Sequence, residues 1–178
     1  MPRRHPALPA CWLMTDERQG EALWVALRRL PKGSGVVFRH YSLPPAERRA
    51  LFDRVRRIAR ARRLVLVLAG PPRLARGWRA DGAHGRSPHR SPGLLRTAPV
   101  HDRRELVVAG GADLLFVSPV FATRSHLGAR GLGRIGFHAL ARRTRQPVAA
   151  LGGMTARRAR SLGGVRWAAI DAWSSSRA

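Results

Sequence analysis

The stretch "LVLVLAG", residues 64–70, decides the fold class. Six apolar residues follow one another without the polar alternation of a strand that has one face in water. The run therefore predicts a strand buried on both faces. Gly70, Pro71 and Pro72 end it, because proline cannot donate to a strand ladder. Strands buried on both faces occur where helices cover a parallel sheet, so this run predicts an α/β protein.

Short apolar runs of the same kind recur along the chain, most of them followed by a helical pattern. The other seven predicted strands are "CWLMTD" (11–16), "GVVFRHY" (35–41), "ADGAH" (80–84), "LRTAPVH" (95–101), "DLLFVSPV" (113–120), "PVAALGG" (147–153) and "WAAIDAW" (167–173). Eight strands that alternate with helices predict a (β/α)8 TIM barrel, and a doubly wound sheet is the main alternative.

The predicted barrel is compact. The chain has 178 residues, against about 250 in a typical barrel of this class, and we expect residues 1–178 to form a single domain. Residues 85–94, "GRSPHRSPGL", show no helical pattern, and only "SSSRA" follows the eighth strand. The sequence therefore predicts that helices four and eight are reduced or missing.

The net charge of +24 is carried almost entirely by arginine, since Lys32 is the only lysine. The arginines are spread over the chain and mostly fall on predicted helix faces, as in residues 47–63. There is no nucleic-acid motif and there are few aromatic residues to stack on bases, which argues against nucleic acid. The charge favours small anionic ligands. A single cysteine, Cys11, and no apolar run of about 20 residues predict a cytoplasmic protein away from the membrane. The oligomeric state stays open.

The active site of such a barrel lies at the carboxyl ends of its strands. Candidate residues at these ends are Arg39, His84, Asp171, the cluster Thr123, Arg124, Ser125 and His126, and the pair Gly152 and Gly153. Two glycines before a helix let the backbone approach a ligand closely, and their N–H groups favour a phosphate. The alternative is a tight turn that only glycine can make.

Several of these motifs together resemble the thiamine-phosphate synthase family. "GADLLFVSPVFATRS" and "PVAALGGMTARRARSL" are similar to the glycine-bearing motifs of that family's carboxy-terminal half. "WLMTD", "VVFR" and "ADGAH" resemble its earlier strands in the same order. The resemblance runs from about Cys11 to Trp173 and is strongest over 109–155.

The resemblance implies an enzyme that joins a hydroxymethylpyrimidine pyrophosphate to a thiazole phosphate and releases pyrophosphate. By position, Arg39 would bind the pyrophosphate, and Thr123 and Ser125 would donate hydroxyls to the phosphates. Gly152 and Gly153 would hold the thiazole phosphate. A departing pyrophosphate needs positive charge and fixed donors, which suits these residues.

The family also uses magnesium, and here the sequence departs from its pattern. The family's Asn-Asp pair after strand three is Ala69-Gly70, and the loop that should carry the second acid, "GRSPHR", has none. The lysine after the second hydroxyl is His126, and Asp171 stands where a serine is expected. Because magnesium usually takes one or two carboxylates, the sequence predicts no metal ligand and argues against metal-assisted ionisation.

Three hypotheses follow from these departures. The first is a divergent synthase in which Arg39, Arg124 and His126 supply the missing positive charge. The second is a metal-independent enzyme like the thiazole tautomerases on the same barrel, with His84, His101 or His126 transferring a proton. The third is a barrel that binds a phosphorylated ligand without catalysis.

Overall fold

A computed structural model describes residues 7–86, 91–122 and 131–174. Eight parallel strands close into a barrel in chain order, and β1 pairs with β8 through Trp12 and Ala168. The strands are β1 (Cys11–Met14), β2 (Gly35–Phe38), β3 (Val65–Ala69), β4 (Gly82–His84), β5 (Leu95–Val100), β6 (Leu114–Val117), β7 (Val148–Leu151) and β8 (Arg166–Ala169). The predicted (β/α)8 barrel is confirmed, and the doubly wound sheet is excluded because the sheet has no open edge.

Helices surround the barrel in the expected alternation. They are α1 (Ala22–Arg29), α2 (Pro45–Ala61), α3 (Pro72–Gly77), α4 (Arg103–Val108), α5 (Gly133–Ala141) and α6 (Ala156–Ser161), and a 3-10 turn (Glu17–Gln19) follows β1. Between β4 and β5, the described residues 85–86 and 91–94 form no helix. After β8, residues 172–174 form a turn. Both observations agree with the prediction for helices four and eight. None of the described helices is long and apolar enough to cross a membrane.

One side of each strand fills the barrel interior. The buried apolar side chains of this cluster are Trp12, Met14, Val37, Val67, Ala69, Leu95, Leu114, Phe116, Ala149 and Ala168. Trp12 is the largest of them, and its ring lies against Gly35, its register partner on β2. The Trp12 Nε1 donates to the Pro9 carbonyl at 3.0 Å, and its ring meets Phe116 edge-on at 5.4 Å. The absence of a side chain on Gly35 is therefore what admits the indole.

The other side of each strand packs against the helices. Two buried clusters form this outer layer, one under α1, α2 and α3 and one under α4, α5 and α6. Since both faces of the strands are buried, the runs are apolar at nearly every position, as the sequence indicated.

A tryptophan covers part of the outer face of β8, where an eighth helix would otherwise pack. Trp173, in the turn after β8, stacks on Trp167 of the strand with ring centroids 4.8 Å apart and planes 16° apart. Trp173 also packs against the cluster under α1 and α2, and Trp167 against the cluster under α6. The two stacked aromatic rings thus connect the two clusters of the outer layer.

The fit of Trp12 over Gly35 can be tested by adding one methyl group. A Cβ on Gly35 would lie 2.0 Å from the Trp12 ring, so we expect Gly35→Ala to destabilise the protein by about 3 kcal/mol. The matched control is Gly77→Ala at the end of α3, where a Cβ meets nothing within 4 Å. We expect that change to stay within about 0.5 kcal/mol of the parent. Urea unfolding followed by circular dichroism measures both, and equal midpoints would contradict the packing described.

Candidate functional site

A cavity of about 720 Å³ opens at the carboxyl ends of the strands. Its lining at this end includes Arg39 after β2, Ser118 and Pro119 after β6, and the loops that follow β7 and β8. It continues past Trp167 and Trp173 toward Ala10 and Cys11. The volume of 720 Å³ covers both parts, and ligand cavities generally measure about 300–1,000 Å³. The part at the carboxyl ends lies where a TIM barrel places its active site.

The predicted glycine pair lies on this cavity. Gly152 and Gly153 both have left-handed backbone angles, with φ of +97° and +59°. A Cβ on Gly152 would lie 2.8 Å from Pro119 Cα, and one on Gly153 would lie 2.6 Å from the Ala122 carbonyl oxygen. The loop after β7 therefore packs directly on the loop after β6. Glycine is required at both positions by backbone conformation and by this contact.

The helix after the glycine pair holds the loop in place. Thr155 caps α6 with its hydroxyl, which accepts from the Arg158 N–H at 3.2 Å. The Arg158 guanidinium donates back to the Gly153 carbonyl and lies over the Phe121 ring, 4.9 Å from its centroid. Arg158 is a site residue that the sequence did not single out, because it is one arginine among several on that helix. It places a cation beside the glycine loop.

Arg39 is held rigidly at the end of β2. Its Nε donates to the Thr15 carbonyl at 2.6 Å, and its Nη2 contacts Asp16 Oδ2 at 2.9 Å. Asp16 also accepts two bonds from the Arg18 guanidinium, at 2.7 and 3.1 Å, and caps the 3-10 turn. The bond from Arg18 is the main reason that the pKa of Asp16 lies below its usual value. Arg39 thus reaches the site as an oriented guanidinium with an ionised carboxylate behind it.

Arg39 separates two cavities. The second, of about 350 Å³, lies between the ends of β1 and β2 and is lined by Asp16, Arg18, His40 and Tyr41 among others. The Nδ1 atom of His40 forms a hydrogen bond with the Thr15 hydroxyl at 3.0 Å. The His40 ring stacks on Phe38, with ring centroids 4.8 Å apart. Burial lowers the pKa of His40. These contacts make His40 a support for the Arg39 loop.

A second arginine, Arg48 on α2, ties the ends of β2 and β3 together. Its Nη2 donates to the Arg39 carbonyl at 2.7 Å and to the Ala69 carbonyl at 2.7 Å. Its guanidinium also lies 5.5 Å from the Trp78 ring centroid. This role could not be predicted from the sequence, because α2 carries many arginines at similar spacing.

His84 is the last residue of β4, and its side chain is buried inside the barrel. Its Nδ1 contacts the Thr97 hydroxyl at 2.9 Å, and its ring meets Phe116 edge-on at 5.6 Å. Burial, with a smaller effect of Arg39, Arg86 and Arg96, lowers the pKa of His84 to about 3. The ring is therefore neutral near pH 7, and this argues against His84 as the proton carrier of a tautomerase-like reaction.

The ends of β4 and β5 carry another fixed arginine. Arg86 Nη2 contacts Glu105 Oε1 at 2.7 Å, and the other oxygen of Glu105 lies 2.7 Å from His101 Nδ1. Asp102 caps α4 by accepting from the Glu105 N–H at 2.8 Å. Glu105 therefore binds Arg86 and His101 together at this side of the barrel mouth.

Of the remaining predicted residues, the structure describes Asp171 but not the cluster after β6. Asp171 lies on the cavity next to the glycine loop, and its charge contributes to raising the pKa of Arg18, after the larger effect of Asp16. The predicted cluster Thr123, Arg124, Ser125 and His126 lies outside the described residues, between Ala122 and Gly131. The structure thus brings together Arg39, Gly152, Gly153 and Asp171 on one cavity, whereas His84 does not line it.

Comparison with known protein families and structures gives a consistent result. The family model "TMP-TENI: Thiamine monophosphate synthase" matches residues 11–172. No curated protein matches the chain in a sequence comparison. Thiamine phosphate pyrophosphorylase from Pyrococcus furiosus superposes with a TM-score of 0.75 at 25% identity, over 94% of this chain and 88% of that one.

More distant structures share the fold. Thiamine phosphate pyrophosphorylase from Bacteroides thetaiotaomicron superposes with a TM-score of 0.59 at 16% identity, over 96% of this chain and 87% of that one. The YdjI aldolase of Escherichia coli K12 also gives 0.59, at 9% identity, over 92% of this chain and 75% of that one. At these identities the similarity shows the barrel alone.

The burial of His84 has a consequence for stability at acid pH. Its pKa is about 3 in the folded protein and about 6.5 in an unfolded chain. Above pH 6.5 the imidazole is neutral in both states, and its burial does not lower the free energy of unfolding. As the pH falls from 6.5 toward 3, the unfolded chain binds a proton at His84 that the folded protein does not bind, so the free energy of unfolding falls. We expect His84 to cost the protein about 2 kcal/mol of unfolding free energy between pH 7 and pH 5.

Denaturant unfolding at several pH values measures this loss. We expect His84→Gln to show a smaller fall between pH 7 and pH 5, whereas His138→Gln on α5 should follow the parent protein. Parallel profiles for the parent and His84→Gln would contradict the burial described.

Proposed function

Because the chain belongs to the thiamine monophosphate synthase family, we propose that it couples hydroxymethylpyrimidine pyrophosphate to thiazole phosphate and releases pyrophosphate. The observation that carries the proposal is the cavity at the carboxyl ends, where an oriented Arg39 and the Gly152–Gly153 loop line the same space. Both substrates are small phosphorylated molecules, which suits the cytoplasmic location that we predict from the sequence.

Each group has a distinct part in the proposed reaction. The C–O bond between the pyrimidine methyl carbon and the pyrophosphate breaks, and its electron pair leaves with the pyrophosphate. Arg39 donates to the departing group, because fixed donors aimed at growing negative charge lower the barrier. The thiazole nitrogen then attacks the pyrimidine carbon. The N–H groups of the glycine loop hold the thiazole phosphate, with Arg158 nearby as a cation.

The residues of the loop after β6 complete the proposal. Thr123 and Ser125 would donate hydroxyls to the phosphates, and Arg124 and His126 would add positive charge, as the family resemblance implies. Asp171 would lie near the thiazole phosphate, where its carboxylate disfavours an anion unless a cation offsets it. The charge of Asp171 contributes to raising the pKa of Arg18, after the larger effect of Asp16.

The residues do not fit a resident magnesium ion. After β3, where the family resemblance implies a metal-binding acid, the chain has Ala69 and Gly70. No step of the proposed reaction is therefore assigned to a protein-bound metal.

Formation of thiamine phosphate by the purified protein is the direct test of this function. The protein is incubated with both substrates, and product and pyrophosphate are measured by chromatography. We expect the two to appear in equal amounts. A protein that binds thiazole phosphate but forms no product would be a binding barrel, and the synthase proposal would be wrong.

The role of the glycine loop is tested by a substitution with a matched control. We expect Gly153→Ala to raise the KM for thiazole phosphate at least tenfold, about 1.4 kcal/mol, because a Cβ there forces the loop away from Ala122. Gly163→Ala is the control, since Gly163 has a left-handed φ of +85° but open space around its Cβ position. If both variants kept the parent KM, the loop would not hold the phosphate.

A further inference from the structure

The acidic residues of this chain can all be followed in the structure, because all ten lie in the described ranges. Five of them lie at the start of α1, on α2 or just before strands: Glu21, Glu47, Asp53, Asp81 and Asp113. The other five follow a strand closely, on the face of the barrel that carries the cavity: Asp16, Glu17, Asp102, Glu105 and Asp171. A magnesium site at the cavity would have to draw its carboxylates from this second group.

Every carboxylate of the second group is already engaged by the protein. Both oxygens of Asp16 are bound by arginine, and both oxygens of Glu17 accept from Ser42. Asp102 caps α4. Each oxygen of Glu105 has a partner, Arg86 or His101, and Asp171 also interacts with other groups of the protein. A divalent cation would compete with a guanidinium at Asp16 and Glu105, with the helix cap at Asp102 and with the Ser42 donors at Glu17.

The end of β3 is closed to a cation in another way. Ala69 and Gly70 offer no carboxylate, and the Ala69 carbonyl accepts from the Arg48 guanidinium at 2.7 Å. The last carbonyl of the strand thus already accepts from a guanidinium, and the positive charge of that group would repel a metal ion.

Two arginines lie on either side of the end of β3. Arg39 follows β2 and Arg86 follows β4, and these strands are the two neighbours of β3 in the barrel. Each guanidinium is held by a carboxylate, at 2.9 Å for Arg39 and 2.7 Å for Arg86. Arg39 uses two N–H groups, one on Thr15 and one on Asp16, of the five that a guanidinium carries. Donors in a fixed fork remain for a ligand, and this geometry matches phosphate oxygens.

We propose that the pyrophosphate group is bound by Arg39 and Arg86 and not by a protein-bound divalent cation, with Asp16 and Glu105 as the positioning residues of these two arginines. The proposal rests on the proposed function. When the C–O bond breaks, its electron pair leaves with pyrophosphate, and the two guanidinium groups stabilise the added negative charge. No oxidant, reductant or further reactant is needed for this balance.

Calorimetric titration of inorganic pyrophosphate into the full-length protein tests the proposal without requiring turnover. We expect binding in buffer with EDTA, and we expect added magnesium not to tighten it. Arg39→Gln and Arg86→Gln should each weaken binding at least tenfold. Arg143→Gln, on the exposed turn after α5, removes the same charge and should change affinity less than twofold. Equal affinity of Arg86→Gln and Arg143→Gln would overturn the role of Arg86.

The positioning role of Asp16 and a simple effect of its charge predict opposite changes in pyrophosphate affinity. Asp16→Asn removes a negative charge near the site, so a simple change in field would tighten pyrophosphate binding. Asparagine still caps the 3-10 turn but holds Arg39 less firmly, so we expect binding to weaken about fivefold. Tighter binding in Asp16→Asn would overturn the positioning role.

The product assay separates the inference from the function on which it rests. Thiamine phosphate formed in EDTA supports both. Product that forms only with magnesium, together with magnesium-dependent pyrophosphate binding, would overturn the inference and leave the function standing. Pyrophosphate binding in EDTA without product under any condition would overturn the synthase function and leave the arginine site standing.

Discussion

The contact of Arg39 with the end of β1 is the constraint on which the site depends. Its Nε bond to the Thr15 carbonyl and its ion pair with Asp16 join the carboxyl ends of two neighbouring strands. Thr15 in turn contacts His40, and Arg48 binds the Arg39 carbonyl. The cation is consequently part of the barrel rim and not a free side chain. A ligand meets a guanidinium whose conformational entropy is already lost, which favours binding.

The fold could be predicted from the sequence because barrel strands have a simple pattern. Both faces of β3 are buried, so its run is apolar throughout, and the same holds for β2 and β6. The described residues between β4 and β5 form no helix, and the sequence showed this connection as an interval without helical periodicity. The closure of the outer layer by Trp173 was not predictable, since a tryptophan after the last strand carries no sign that it turns back onto Trp167.

The candidate site could be predicted only where a local signal exists. Gly152 and Gly153 gave one, because two adjacent glycines after a strand indicate an unusual backbone, and the structure shows both in left-handed conformation. Arg48 and Arg158 gave none, because 34 residues of the chain are basic and spacing cannot select among them. The burial of His84 depends on which side of β4 faces the interior. A strand of three residues is too short for the sequence to determine this.

Carboxylates of the cavity face are used to orient arginine. Oδ1 of Asp16 accepts from Arg18, and Oδ2 accepts from both Arg18 and Arg39, so a metal ion at either oxygen would compete with a guanidinium. The same competition would arise at Glu105, whose two oxygens contact Arg86 and His101. Arg39 and Arg86 each lie within 3 Å of a carboxylate oxygen, and this arrangement supports the proposal of an arginine-based anion site. Under that proposal, the acids that the sequence lacks after β3 and β4 and the acids that it has beside Arg39 and Arg86 have one explanation, because the site then carries its positive charge on arginine and not on a metal ion.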